Sequence, residues 1–297
     1  MSTEYVTYKN FAGFRVRGYS EFSMPLDVRS HVSRAVFLTA QLEAPRWGSV
    51  QSYDGAGMSA GLLHNVAVTP ANMQQGSLWP LLARVLSAST GDGDELVREL
   101  ADAGWRLGAD GKLRDAAGAL VGGKEIRAKL TPPNGKVPTK GEAHQAAERW
   151  ARVFSELFGA RSTFQAQAAF AGEWLVQSQS AAELAVYRDY CPGIDSWAGI
   201  GIDQLSAEVE LAMCVYHSFS ANAPGQAVKH LREAHGSAPA GATPFAKRLI
   251  RSLGRSPYGR WHDEPGVGNN RYDRTRLAVL KSRLWPMAAE LMPRDLK

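Results

Sequence analysis

The second half of the chain carries apolar residues at helical spacing almost throughout, separated by short polar stretches. Apolar positions three and four residues apart are typical of helices that bury one face. This pattern predicts helices over 142–158, 162–177, 181–190, 206–220, 225–234, 243–253 and 274–291. In the first half it predicts a helix over 28–42, for which Asp27 is a suitable N-terminal cap, and two more over 76–87 and 92–103. The sequence therefore predicts a mainly α protein.

Three regions before residue 142 follow a different pattern. Residues 1–28 contain short runs of aromatic and β-branched residues broken by glycine, which predicts short strands or an extended arm. Between 48 and 63, apolar and polar residues alternate around the turn sequence DGAG, and the glycines there permit tight turns, so a hairpin is expected. The stretch 104–131 has two turn signals between short apolar runs, which indicates a small β insertion. The expected fold class is therefore mainly α with a small β part (α+β).

The segment TPPNGKVPTKGE, at 131–142, is the best candidate for a linker because it combines proline, glycine and charged residues. We therefore expect three parts. Residues 1–103 would form an N-terminal arm, a helix and a β-hairpin lobe. Residues 104–141 would form the β insertion and the linker, and residues 142–297 a helical lobe.

The charge balance is mildly basic. The chain has 297 residues, and its 34 Lys and Arg residues exceed its 29 Asp and Glu residues, which gives a formal net charge of +5. Such a surplus favours anionic polymers, for example nucleic acid, acidic glycans or cell-wall material. Nucleic acid is disfavoured as a partner, since there is no aromatic platform motif and no basic cluster denser than RTRLAVLKSR.

The sequence also bears on location. No apolar run reaches the length of a membrane span, and the N-terminal stretch lacks an apolar core of signal-peptide length. We therefore expect no membrane span and a protein made in the cytoplasm without a Sec signal. If it acts on the cell wall, in the periplasm or extracellularly, another route must deliver it.

No cofactor or metal is expected. Cys191 and Cys214 form no CxxC pair and have no ligand-spaced histidine beside them in the sequence, so neither a disulfide framework nor a zinc cluster is indicated. We interpret both as small buried hydrophobic residues. The sequence contains no HExxH, P-loop or GxSxG motif.

Two carboxylates, Glu43 and Asp54, stand where they would suit cleavage of a glycosidic bond, which uses one protonated acid and usually a second carboxylate. Glu43 ends the predicted helix among apolar neighbours, which disfavour its charged form and suit it to donate a proton. Asp54 lies in the glycine-rich turn, where backbone N–H groups and solvent would keep it ionised. Two plainer interpretations stay open: a solvated helix end for Glu43, and a simple hairpin signal for Asp54 and the glycine after it.

The succession of these features resembles the lysozyme superfamily of phage endolysins and family 46 chitosanases. A helix ending in Glu is followed by a hairpin that reads DGAGMSAG, close to the chitosanase pattern DGRGYTAG, and the likeness covers residues 43–64. The resemblance implies a two-lobed lysozyme-like fold, with a small β-hairpin lobe and a larger helical lobe that completes the same catalytic domain. It also implies that Glu43 is the general acid, Asp54 the general base and Ser59 a hydroxyl that orients the attacking water.

The resemblance implies an endo-acting glycosidase, and peptidoglycan is the preferred β-1,4-linked substrate because the chain is basic. Trp47, Tyr53 and Gly57 are the expected substrate-binding residues of the hairpin lobe, with Tyr216 and Asn222 from the helical lobe. A phage-encoded lysin, or a component of a phage tail or contractile injection particle, would suit a chain without a signal. The alternatives are a chitosanase-like hydrolase and a noncatalytic peptidoglycan-binding module on a lysozyme scaffold.

Overall fold

The computed structural model describes residues 2–8, 10–23, 30–53, 55–89, 91–132, 135–221, 223–236, 240–256 and 271–293. The described residues are 55% helix and 14% strand, which confirms the mainly α class with a small β part. It divides into two compact units, each built from two stretches of sequence. Unit 1 comprises Met1–Phe22 and Glu43–Ala171, and unit 2 comprises Ser23–Leu42 and Gly172–Lys297.

Unit 1 contains all of the strands in the described part of the chain. A five-stranded antiparallel sheet has the order β1-β2-β3-β4-β5, and two strand pairs, β6-β7 and β8-β9, accompany it. The bounds are β1 Ser2–Tyr8, β2 Phe11–Arg17, β3 Val50–Gln51, β4 Ser59–Ala60, β5 Asn65–Val66, β6 Val68–Thr69, β7 Gln74–Gln75, β8 Trp105–Leu107 and β9 Leu113–Asp115. The expected short strands near the N-terminus and the hairpin between 48 and 63 are therefore confirmed, although a seven-residue loop joins β3 to β4.

The core of unit 1 lies between this sheet and a set of helices. These are α2 Leu78–Ala88, α3 Asp94–Asp102, α4 Gly123–Leu130 and α5 Glu142–Gly159, and α6 Phe164–Gln177 begins in the same unit. The core is aromatic at its centre, where Trp79, Phe154 and Phe158 have almost no exposed surface. Trp79 also donates a hydrogen bond from its indole nitrogen to the Ala67 carbonyl, at 2.8 Å, so its polar atom is satisfied inside the core.

Unit 2 is helical. Its elements are α1 His31–Glu43 as far as Leu42, the end of α6, α7 Ala181–Tyr190, α8 Ala207–Ser220, α9 Pro224–His235, α10 Ala242–Arg255, α11 Arg271–Ser282 and α12 Ala288–Leu291. The central helix is α8, which is buried along almost its whole length and packs against α9 and α10. A helix buried on all sides needs polar residues to be paired inside the core, and α8 carries several.

Several helix predictions agree with the structure. The prediction at 181–190 is confirmed to the residue, and local chemistry explains why: Ser180 and Glu183 form a capping box at the start of α7. The predicted helix over 274–291 is wrong in its middle, because α11 ends at Ser282 and α12 starts only at Ala288. Arg283 there has a φ of +54°, which a helix cannot hold, and Pro286 lacks the N–H that a continuing helix needs.

The β insertion and the domain boundaries differ from the prediction. The strands β8 and β9 lie within 104–131, but α4 follows them because Ile126 and Leu130 are buried one helical turn apart. The boundary between the units falls between Ala171 and Gly172, inside α6, rather than at 141. Helix α5 belongs to unit 1 because its apolar face packs on β2, β3 and α4.

Among the described residues, no helix is both long and apolar enough to cross a membrane.

Candidate functional site

Glu43 is the last residue of α1 and is half-buried. The chain that follows it is fixed within unit 1 by backbone hydrogen bonds to the segment 19–22. Phe22 donates to the carbonyl of Pro45 at 2.8 Å, and Tyr19 donates to the carbonyl of Trp47 at 2.8 Å. Glu43 therefore enters unit 1 just before a stretch whose backbone is held in place.

Trp47 packs inside unit 1. Its ring stacks on that of Phe164 with centroids 4.1 Å apart and planes 8° from parallel, and it meets the ring of Phe22 edge-on at 5.1 Å. Only 6% of Trp47 is exposed. This corrects the expectation that Trp47 offers its ring to a sugar, because the rings of Phe164 and Phe22 already pack against it.

Tyr53 is also buried, and it is tied to β2 by Arg15. The guanidinium of Arg15 donates to the Tyr53 hydroxyl from Nη2 at 2.6 Å and from Nε at 3.2 Å. The ring of Tyr53 is therefore a packing element of the sheet rather than a free platform for substrate. The pair does place a positive charge beside the residue that precedes Asp54.

The loop between β3 and β4 is anchored at both ends. At one end, Ser52 and Phe14 exchange two hydrogen bonds, one from each backbone N–H, at 2.8 and 2.9 Å. At the other end, the hydroxyl of Thr131 donates to the carbonyl of Gly57. Gly57 has a φ of +78°, which favours glycine, and a Cβ there would lie 3.4 Å from the Cα of Arg127. Gly57 thus serves the loop conformation, and Asp54 itself lies outside the described residues.

Ser59 lies in β4, the strand between β3 and β5, where it pairs with Gln51 on one side and Val66 on the other. It is 3% exposed. Gly61, two residues further on, has a φ of +71° and donates its N–H to the carbonyl of Ser49 at 3.1 Å. The role of Ser59 in orienting water stays a prediction, and its position is that of a buried strand residue.

The two site residues predicted from the helical lobe are Tyr216 and Asn222. Tyr216 lies on α8 in the core of unit 2 and has no exposed surface. Burial and the nearby carboxylate of Glu183 raise the pKa of the Tyr216 hydroxyl far above its usual range. This corrects the expectation that Tyr216 lines a sugar groove. Asn222 lies outside the described residues.

The structure reveals a buried polar cluster in unit 2 that is not among the sites expected from the sequence. Its centre is Glu210 on α8, which is 1% exposed. One carboxylate oxygen, Oε1, lies 3.0 Å from Nε of Arg34 and accepts a hydrogen bond from Sγ of Cys214 at 3.3 Å. The same oxygen lies 3.5 Å from Nδ1 of His31, and the other oxygen, Oε2, accepts from the indole nitrogen of Trp285. Four side chains therefore converge on one buried carboxylate.

A chain of hydrogen bonds leads away from this cluster. His31 Nε2 lies 2.9 Å from the hydroxyl of Tyr187, which lies 2.8 Å from His217 Nε2. The other ring nitrogen of His217, Nδ1, is 3.5 Å from Glu183 Oε1. Burial, together with the neighbouring His31, holds the pKa of His217 well below its usual range, while burial raises the pKa of Glu183 and of Tyr187. These surroundings thus favour a neutral imidazole at His217.

Part of this cluster had a signal in the sequence. Glu210, Cys214 and His217 are spaced by four and three residues, so they share one face of α8. His31, by contrast, is 183 residues from Cys214 along the chain, and its ring nitrogen Nδ1 lies 3.7 Å from Cys214 Sγ. Cys214 is therefore buried as expected and lies beside a histidine that is remote in sequence, whereas Cys191 is half-buried.

Comparison with protein-family models, with curated proteins and with solved structures gives no match for this chain.

Proposed function

We propose that this chain is an endo-acting glycoside hydrolase of lysozyme type that cleaves β-1,4 bonds of peptidoglycan, with Glu43 as general acid and Asp54 as general base. One observation carries the proposal. A half-buried glutamate ends α1 and is followed within unit 1 by an antiparallel sheet segment, β3-β4-β5, whose first loop contains Asp54. This succession is the one that the sequence resemblance implies.

The position of Glu43 suits the acid role. The C-terminal end of a helix carries partial negative charge; the last turn of α1 has no basic residue of its own, and the guanidinium of Arg274 donates to the carbonyl of Leu42 there. Half-burial limits the water that can solvate a carboxylate, and the neutral carboxylic acid is the form that donates a proton to a departing sugar oxygen. Asp54 would then activate the water, and Arg15 holds the side chain of the preceding residue, Tyr53, by its hydroxyl.

The anchored loop supports the proposal in a second way. A general base must stay within hydrogen-bond reach of its water, so the loop that carries it needs a fixed shape. Bonds from Phe14 to Ser52 and from Thr131 to Gly57 fix the two ends of the β3–β4 loop. They leave only a few residues between the anchors, among them Asp54.

A second candidate, a noncatalytic peptidoglycan-binding module, is favoured by a different observation. Trp47, Tyr53 and Ser59 are all less than a tenth exposed, so three of the side chains expected to meet a sugar or a catalytic water are packed into unit 1. A scaffold that has lost turnover would keep its packing residues in this way. The two candidates differ in one measurable property, which is the release of sugar fragments.

The test is digestion of purified bacterial sacculi by the full chain, with assay of new reducing ends and of 1,6-anhydro ends. We expect wild type to release fragments, and Glu43→Gln to release about 10²–10⁴-fold fewer, because a general acid contributes about that factor. Glu156→Gln is the matched control, since Glu156 is an exposed acid on α5 of the same unit and should act as wild type does. Chitosan digested in parallel distinguishes the chitosanase-like alternative.

Each outcome has a distinct meaning. Wild type that sediments with sacculi but releases nothing supports the noncatalytic module and rejects the hydrolase. Equal release by wild type and Glu43→Gln rejects Glu43 as the acid. Asp54→Asn that keeps full activity and yields anhydro ends indicates a transglycosylase that needs only one carboxylate, which rejects the role of Asp54.

A further inference from the structure

Three side chains of the buried cluster in unit 2 present different metal-ligating atoms toward one point. His31 Nδ1, Glu210 Oε1 and Cys214 Sγ all lie within 4.8 Å of one another, and all three residues are buried. The separations are 3.5 Å from His31 to Glu210, 3.3 Å from Glu210 to Cys214 and 3.7 Å from Cys214 to His31. A nitrogen, an oxygen and a sulfur ligand thus form a nearly equilateral triangle.

These separations match the edges of a zinc coordination tetrahedron. Zinc binds nitrogen and oxygen at about 2.0–2.1 Å and sulfur at about 2.3 Å, so two ligands at the tetrahedral angle are about 3.3–3.6 Å apart. Each of the three separations lies within about 0.3 Å of the value expected for its pair of atoms, so the triangle has about the size that a zinc ion requires. We propose that His31, Glu210 and Cys214 bind one zinc ion in unit 2 through these three atoms.

The surroundings of the ligands support this site. A histidine that binds metal through one nitrogen almost always donates its other N–H to an oxygen, which fixes its tautomer and its ring orientation. His31 Nε2 lies 2.9 Å from the Tyr187 hydroxyl, which can pass its own proton to His217 Nε2 at 2.8 Å. Glu210 is held in the same way, since its second oxygen accepts from Trp285. The hydrogen bonds to Tyr187 and Trp285 therefore leave His31 Nδ1 and Glu210 Oε1 directed at the ion.

The ligand set selects the metal. Magnesium and calcium prefer sites made of oxygen alone, whereas zinc takes thiolate, imidazole and carboxylate together. Three protein ligands leave the fourth tetrahedral position to water or to an exogenous ligand. The negative charges of the thiolate and the carboxylate together balance the two positive charges of zinc. The guanidinium of Arg34, 3.0 Å from Glu210 Oε1, adds one further positive charge, which favours an anionic fourth ligand such as hydroxide.

Binding requires one proton to leave. In the metal-free cluster the thiol of Cys214 donates a hydrogen bond to Glu210, and zinc takes the place of that proton, which is released to solvent. Because the three ligands have almost no exposed surface, the ion enters as unit 2 folds. It then links the start of α1 to the middle of α8.

The experiment uses the full chain, expressed with added zinc and purified without chelator. Metal content is measured by mass spectrometry, and the protein is also refolded from urea with cobalt, whose thiolate charge-transfer absorption reports a cysteine ligand. Wild type should hold one zinc per chain and show the cobalt band. Cys214→Ser and His31→Gln should lose both. The controls are Cys191→Ser and His230→Gln, which change a half-buried cysteine and a half-buried histidine of the same unit and should keep both.

A further variant separates ligation from simple packing. Tyr187→Phe removes the hydroxyl between His31 and His217 and should weaken zinc binding by about 10–100-fold, with the stoichiometry at saturation unchanged. Circular dichroism of all variants in excess chelator checks that each one folds. A wild-type chain without metal and without a cobalt band after refolding overturns the proposal, and so does a Cys214→Ser variant that holds as much zinc as wild type. Neither outcome depends on cleavage of sacculi, because the measurements read metal content alone.

Discussion

Gln167 joins α6 to the sheet of unit 1, and its removal gives a sharp test of how this unit is held together. The side chain is 1% exposed. Its carbonyl oxygen accepts from the backbone N–H of Leu62 at 3.1 Å. Its amide nitrogen donates to the carbonyl of Phe158 at 2.8 Å and lies 2.9 Å from the hydroxyl of Thr163. Gln167→Ala removes all of these bonds at once.

The cost can be worked out from the groups left behind. The N–H of Leu62 and the carbonyl of Phe158 lose their partner in a buried setting, and each orphaned buried group costs about 1–3 kcal/mol. Partial entry of water lowers the total, so we expect a loss of about 2–4 kcal/mol in the free energy of unfolding. At roughly 2–4 °C per kcal/mol for a unit of this size, the thermal midpoint should fall by about 5–15 °C.

Urea unfolding and thermal melting followed by circular dichroism measure this loss. Gln165→Ala is the matched control, because Gln165 is exposed on the same helix and its truncation should change stability by no more than about 0.5 kcal/mol. If Gln167→Ala is as stable as Gln165→Ala, the buried hydrogen bonds of Gln167 contribute nothing and the reasoning fails. Sacculus digestion by Gln167→Ala also tests whether the position of β4 and β5 matters to activity.

Two further predictions concern backbone strain and pH. Gly57→Ala should cost about 1–2 kcal/mol more than Gly122→Ala, because Gly57 has a φ of +78° whereas Gly122 has a φ of −72°, and an added Cβ would not clash at either position. Equal urea midpoints for the two variants would contradict this account of the loop. Burial lowers the pKa of His230 below 6.5, so the native imidazole stays neutral while the unfolded chain takes up a proton. Stability should therefore fall as the pH drops below about 6.5, by at most about 1.4 kcal/mol per pH unit, and this contribution should be missing in His230→Gln. A pH slope that is the same in both proteins would show that His230 does not cause it.

The helices were predictable because their signals are local. The capping box of Ser180 and Glu183 lies within four consecutive residues, and α7 begins where it indicates. Helix α4 was missed because the glycine pair at its start is a turn signal in sequence, while the burial of Ile126 and Leu130 that stabilises it depends on the rest of unit 1. Local propensity is a weak guide wherever tertiary packing decides.

The candidate site was only partly predictable for the same reason. The sequence indicated that Glu43 ends a helix and that a hairpin follows, and both expectations are confirmed. It did not indicate that Trp47 stacks on Phe164, which is remote in sequence. The buried cluster is the strongest case, since His31 and Cys214 are 183 residues apart and no periodicity connects them.

The interleaving of the two units along the chain has a consequence for synthesis. Helix α1 leaves the ribosome early, yet the rest of unit 2 begins only at Gly172, so more than a hundred further residues are made before the partners of α1 appear. Unit 1, by contrast, is complete once Ala171 has emerged. Folding of unit 1 is therefore the expected first stage during translation. Until the rest of unit 2 has been made, the apolar face of α1 is where a chaperone would bind. A chain that stops near residue 171 would leave the buried face of α1 without its cover.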